Sequence, residues 1–243
     1  VSERALIFKH WKIMLLLSVL GVVNFNTFVY LGLQYTSATN ATLLQSVVPS
    51  VVMLLAVFLL GQTISRRQVM GLALSILGVV CIVLRGDLTQ LLKLQINRGD
   101  LWVLAAVLSW ALYTVALNWR PLALSKTALL GGTVLIGTLV LLPVYLWEFS
   151  QGQRIAWETN NLLVLGYVAL FPSVLAYFFW NFGVEKLGAP KAGLFIYLMP
   201  VFGMLLSMLF LGEQPALFHL FGFVLVLAGM LLANRSAKVP TAN

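Results

Sequence analysis

YLGLQYTSATNATLLQSVVPSVVMLLAVFLLGQTISRRQVMGLALSILGVVCIVL, residues 30–84, recurs without a gap 151 positions later as NFGVEKLGAPKAGLFIYLMPVFGMLLSMLFLGEQPALFHLFGFVLVLAGMLLANR, residues 181–235. Gly32, Ala38, Ala41, Pro49, Gly61, Gly71 and Gly78 reappear as Gly183, Ala189, Ala192, Pro200, Gly212, Gly222 and Gly229. Met53, Leu54, Leu55, Leu60 and Leu74 match Met204, Leu205, Leu206, Leu211 and Leu225. The leucines alone would mean little in such a chain. Glycine and proline are residues with backbone meaning, and their recurrence at fixed spacing marks a duplicated unit.

Composition identifies the solvent. Hydrophobic residues make up 61% and charged residues 9%, whereas a soluble domain carries roughly 25% charged residues. Apolar runs of about 20 residues, each long enough to cross the hydrocarbon core, follow one another along the chain. Eight are expected: 11–33, 38–60, 67–84, 100–118, 127–148, 162–185, 190–211 and 217–234. The first run lacks a small-residue cleavage site and is followed by further spans, so it does not read as a signal peptide. The expectation is an all-α polytopic membrane protein embedded in a lipid bilayer.

A net charge of +8 would suggest nucleic acid in a soluble chain. Its placement gives a different reading. Arg4, Lys9, Lys12, Arg66, Arg67, Arg120, Lys126, Lys186, Lys191, Arg235 and Lys238 fall on one side of the spans, and only Arg85, Lys93, Arg98 and Arg154 on the other. The positive-inside rule then puts both termini in the cytoplasm. No nucleic-acid partner is expected.

Chemistry is sparse. Cys81 is the sole cysteine, which excludes an intrachain disulfide or a CxxC site. His10 and His219 belong to no HExxH pattern, and neither GxSxG nor a phosphate-binding glycine loop occurs. No enzyme activity, metal or cofactor is expected.

Repeat and topology combine into one architecture. Spans one to three correspond to spans six to eight, a shift of five helices. Because five is odd, the copies cross the membrane in opposite directions, the inverted-topology arrangement of many secondary transporters. Spans four and five open the second copy without counterparts in the first. Shifting Gly99 back by 151 lands about 50 residues before Val1, so the expected full unit has ten helices, the first two of them missing here. Residues 1–98 then hold the last three helices of a first repeat, and residues 99–243 a second repeat of five.

These stretches, together with GDLWVLAAVLSWALYTV at 99–115, resemble the EamA branch of the drug/metabolite transporter (DMT) superfamily. The resemblance covers Trp11 to Arg235. Its strongest element is the conjunction of a small residue, a proline, a Gly-Glu/Gln pair and Gly-x6-Gly at matching spacing in both halves. One departure is Gln62 where the second copy has Glu213. The resemblance implies two inverted five-helix repeats, the ten-helix DMT fold, and export of small metabolites such as amino acids or their derivatives.

On helical wheels, Asn26, Thr27, Tyr30 and Gln34 share one face of span one, and Thr42, Gln45, Ser46 and Pro49 one face of span two. Ser173, Tyr177, Trp180 and Asn181 do so in span six, and Gly193, Tyr197, Pro200 and Ser207 in span seven. Span four adds Trp102, Ser109, Trp110 and Tyr113. Polar faces look at a bundle interior or a wet cavity rather than at lipid. The candidate lining is Asn26, Tyr30, Gln45, Ser46, Ser109, Tyr113, Tyr177, Trp180, Asn181 and Tyr197. The competing reading is helix-to-helix glue and interfacial belts, which suits Trp102, Trp119 and Trp157 near span ends. Pro49 and Pro200, mid-span and repeated, mark either packing kinks or helices broken at a binding site. Gly71, Gly78, Gly222 and Gly229 suit close helix packing.

No ionisable residue lies deep in any span. Proton coupling, which usually needs one, would therefore rely on the two missing helices; otherwise transport is facilitated diffusion. The expected function is an inner-membrane secondary transporter exporting a small-molecule metabolite by alternating access. A drug-efflux protein and a non-transporting truncated remnant are the alternatives.

Overall fold

A computed structural model of the chain describes residues 3–84, 87, 97–211 and 217–234, and these contain helices and short connections without a strand. Gly212, Glu213, Arg85, Lys93, Arg235 and Lys238, used in the reading above, lie outside the described residues. The helices are α1 Glu3–Lys9, α2 Trp11–Leu17, α3 Phe25–Leu33, α4 Ala38–Gln45, α5 Val48–Leu60, α6 Arg66–Val83, α7 Arg98–Ala116, α8 Lys126–Ser150, α9 Thr159–Leu170, α10 Ala176–Leu187, α11 Ala189–Leu194, α12 Leu198–Leu211 and α13 Leu217–Asn234. Backbone groups have no water to bond in a bilayer, so an apolar run of span length closes its hydrogen bonds internally as helix.

Side-chain caps fix where helices start. Ser37 accepts from Asn40 N at 3.1 Å ahead of α4, and Ser125 accepts from Ala128 N at 3.2 Å ahead of α8. Ser65 with Gln68, and Asn97 with Asp100, form reciprocal capping boxes at α6 and α7. Gly61 ends α5 and Gly188 separates α10 from α11; both have left-handed φ, 65° and 81°, which a side chain would oppose.

Five stretches are long and apolar enough to cross a bilayer: Trp11–Leu33, Asn40–Leu60, Arg98–Trp119, Lys126–Ser150 and Thr159–Leu187. Shorter or interrupted helices cover the other three expected spans, at Arg66–Val83, at 189–211 and at Leu217–Asn234.

Irregularities fall at matching places in the two copies. Span one passes through a π-helical segment, Ser18–Asn24, between α2 and α3, and span six through another, Phe171–Leu175, between α9 and α10. Shifted by 151, Asn24 maps onto Leu175. In span two the helix breaks at Ser46–Val47; in span seven it tightens into a 3₁₀ turn at Phe195–Tyr197. Pro49 and Pro200 therefore stand in the first turn of a new helix, where a missing N–H removes no intrahelical bond.

Two apolar clusters form the interior. Met14, Leu17, Val48, Val52, Tyr113, Tyr177, Ala189 and Ala192 belong to the larger. Met53, Leu72, Val79, Tyr197, Val201 and Val226 belong to the second. α6 packs along α13 through glycine: a Cβ on Gly71 would lie 2.5 Å from Gly229 O, and one on Gly78 2.6 Å from Gly222 O. Gly222 is the repeat partner of Gly71 and Gly229 that of Gly78, so exchanging the copies maps the contact onto itself, as in an isologous interface. At its middle Ser75 Oγ donates to the carbonyl of its own repeat partner, Val226, at 3.3 Å.

Candidate functional site

α7 runs between α3 and α5, and Trp110 on it is the hub of an aromatic cluster. Its ring centroid lies 4.5 Å from that of Phe25 and 5.3 Å from those of Tyr113, Tyr177 and Trp180. The contact with Tyr177 is edge-on at 88°, a favourable quadrupole arrangement. Trp110 shares a helical face with Tyr113 yet stands outside the ten candidates chosen from sequence. Its signal was its depth, since Trp102, Trp119 and Trp157 all sit nearer span ends.

Polar atoms are threaded between these rings. Asn26 Nδ2 donates to Val22 O at 2.8 Å and to Tyr177 Oη at 3.2 Å. Tyr177 Oη donates in turn to Gly21 O. Asn26 and Tyr177 are repeat partners, 151 apart. Both accepting carbonyls belong to the first π segment; in the second, Ser173 donates back to Val168 O of α9 at 2.8 Å. Ser109 Oγ, on α7, donates to Leu20 O at 3.0 Å, fastening α7 to the first π segment. Gly21 makes room for all this, since a Cβ there would stand 2.5 Å from the Tyr113 ring.

Tyr113 Oη donates to Asn181 Oδ1 at 2.6 Å, which leaves the amide nitrogen of Asn181 buried without a partner, and Trp180 Nε1 is buried and unpartnered as well. A buried donor without an acceptor costs about 1–3 kcal/mol. The two stand on neighbouring residues of one helix, beside the aromatic cluster.

Asn26, Ser109, Tyr113, Tyr177, Trp180 and Asn181 thus come together around Trp110. Tyr30 does not join them: it is 57% exposed on the outside of α3. Gln45 and Ser46 line a separate small cavity of about 50 Å³ with Thr42, Val79, Ile196, Met199 and Pro200. Ser46 bonds its own helix there, to Leu43 O at 2.6 Å. Tyr197 lies in the second apolar cluster, fully buried; its hydroxyl has no hydrogen-bond partner of good geometry, with Ser50 beside it.

Two polar groups carry more structure than their sequence context suggested. Asp100, at the start of α7, is buried and accepts from Thr36 Oγ1 and Asn40 Nδ2, both at 2.6 Å, and from Asn97 N at 2.9 Å. It ties the turn between α3 and α4 to α7, where Gly32 and Gly99 touch backbone to backbone. At the opposite end of α7 a second cavity, about 240 Å³, is lined by Arg120, Ser125, Lys126, Asn181, Glu185 and three leucines. Sequence reading spent these charges on topology. Among the described residues no group of His, Cys, Asp or Glu is placed to hold a metal ion.

The described residues thus form a helical bundle with aromatic and amide side chains in its interior. The chain belongs to the EamA-like transporter family, whose model matches residues 2–84 and 97–235. It is 30% identical over 234 residues to the Bacillus subtilis transporter YyaM, covering 94% of this chain and 75% of that protein. With YetK of the same organism the identity is 31% over 230 residues, 95% of this chain and 70% of that one. A Streptantibioticus cattleyicolor protein named "Probable terminal-alkyne amino-acid exporter" is 28% identical over 210 residues, 84% of this chain and 66% of that one. A crystal structure 18% identical in sequence superposes with a TM-score of 0.76, covering 96% of this chain and 79% of that one, a likeness of fold.

Proposed function

We propose that this protein exports a small metabolite, an amino acid or a derivative of one, across the bacterial cytoplasmic membrane by alternating access. The observation that carries the reading is the aromatic cluster around Trp110, where Trp180 Nε1 and Asn181 Nδ2 are buried without partners. Aromatic walls with a few convergent polar groups are what a small-molecule site needs. The amino-acid exporter among the relatives lends the substrate class its weight.

Support for the mechanism comes from the repeat. The isologous Gly71–Gly229 and Gly78–Gly222 contacts, the Ser75–Val226 bond and the Asn26–Tyr177 bond all join residues as a two-fold relation between copies would. An inverted repeat rocking about such an axis opens a central site alternately to each side. The paired π segments, immediately before Asn26 and Tyr177, are places where the backbone is already off the regular ladder. On the positive-inside reading both termini are cytoplasmic, and Arg120, Lys126 and Glu185 then lie toward the inner face.

Comparison of the growth medium of cells producing the wild type with that of cells producing the Asn26→Ala, Trp110→Ala, Trp180→Ala triple variant tests the reading. A metabolite enriched outside wild-type cells alone, with equal protein in the membrane, is the expected result. Equal enrichment in both would overturn the site, and a resistance phenotype without any metabolite would favour drug efflux.

A further inference from the structure

The cavity at the end of α7 is built by a different logic from the aromatic cluster. Arg120 and Lys126 each stand 3.7 Å from Glu185, through Arg120 Nη2 to Oε2 and Lys126 Nζ to Oε1. Charge-assisted hydrogen bonds close to about 2.7–2.9 Å, so both cations hold their carboxylate loosely and keep donor capacity. Arg120 is oriented by its other nitrogen, Nη1, which donates to Leu117 O at 2.9 Å. Lys126 is at the first turn of α8, where the helix end adds its own positive potential, and its ammonium lies 4.1 Å from the Phe182 ring centroid. Glu3 Oε1 accepts from Ser125 N at 3.3 Å at the same helix start.

Asn181 supplies an independent pointer. It is 8% exposed, it lines this cavity, and its Nδ2 has no partner. Its Oδ1 is taken by Tyr113. Its side chain, held at Oδ1 by Tyr113, thus lines the charged cavity while its Nδ2 is buried and unpartnered. Within the cavity lining two cations and an amide face one carboxylate, Glu185, while the second carboxylate nearby, Glu3, is held on Ser125 N at the helix start. The volume, about 240 Å³, is below the roughly 300–1,000 Å³ of drug-sized sites and suits an amino acid.

We propose that this cavity is a carboxylate-recognition subsite at the inner mouth: Arg120, Lys126 and Asn181 Nδ2 take the carboxylate of an aliphatic amino acid, Glu185 takes its ammonium, and Leu124 and Leu129 take its side chain. The proposal rests on the transporter reading above and narrows its substrate to molecules carrying a free carboxylate.

The test is binding of tritiated leucine to the purified full chain in detergent, competed by 4-methylpentanoate, which keeps the carboxylate, and by leucinamide, which lacks it. Leucine and 4-methylpentanoate should compete and leucinamide should not. Arg120→Gln should weaken leucine binding about tenfold or more, in line with loss of a hydrogen bond to a charged group. Asn181→Asp, nearly identical in shape, should abolish it by turning a carboxylate toward the substrate's own. Competition by leucinamide as strong as by leucine, unchanged affinity in Arg120→Gln, or no leucine binding to a monodisperse wild type would each overturn the subsite. Efflux of leucine from proteoliposomes, measured separately, reads the transport proposal. Binding with the expected pattern but without efflux keeps the subsite and sinks the exporter, whereas efflux of leucine and leucinamide alike does the reverse.

Discussion

Gly21 has no side chain, and the Tyr113 ring fills the space where one would stand, 2.5 Å from an added Cβ. Gly21→Ala should therefore cost about 1–3 kcal/mol by overpacking and lower the melting temperature of the solubilised protein; an unchanged melting curve would mean the two helices part easily here. Tyr177 is a sharper probe, because its hydroxyl both donates to Gly21 O and accepts from Asn26. Tyr177→Phe keeps the ring and strands two buried polar groups, a loss of about 1–3 kcal/mol, so melting temperature and export should fall together. Tyr177, Asn26 and Asn181 were legible in the sequence because polar residues in apolar spans are conspicuous. Trp110 was not singled out, since tryptophan is as common in interfacial belts as in sites. Its meaning came from the four rings around it.

Helices are interrupted at matching places in the two copies. Pro49 and Pro200 each sit in the first turn after a break, so proline does not merely bend these spans; it starts them anew. Replacing both by alanine lets each span close as a continuous helix. The expected outcome is higher thermal stability with maximal export slowed severalfold at unchanged apparent affinity, read by efflux kinetics. An unaltered rate would remove the breaks from the mechanism. In the same way α6 and α13 depend on glycine, and a Cβ on Gly78 would meet Gly222 O at 2.6 Å. Gly78→Leu should separate the pair and leave no monodisperse protein on size-exclusion chromatography, whereas Gly131→Leu, with open space at its Cβ position, should elute as wild type. Span positions were readable to within a few residues from hydropathy. The π segments were not, because nothing in SVLGVVN or FPSVL departs from ordinary helical pattern.

At the scale of the molecule the charge asymmetry makes a topological prediction. Cys81 is the only thiol, so a Cys81→Ser background gives a clean start for labelling. In intact cells a membrane-impermeant maleimide should modify Gln153→Cys, in the turn after α8, and leave Ser125→Cys untouched until the cells are opened. The reverse pattern would invert the molecule and turn the carboxylate subsite into an outer mouth.

Much of this protein was fixed by one-dimensional information. Solvent, helical class and duplication follow from the 61% hydrophobic composition and from glycines and prolines recurring at one offset, because a bilayer forces every span to be a helix. Which faces meet was decided only in three dimensions. A helical wheel says that Tyr30 and Asn26 share a side; it does not say that Asn26 reaches Tyr177 while Tyr30 stays outside. Partner choice between membrane helices rests on small residues and close fit rather than on any hydrophobic period. For that reason Arg120, Lys126, Glu185 and Asn181, scattered over 66 positions of sequence, came to line one cavity only when α7, α8 and α10 packed.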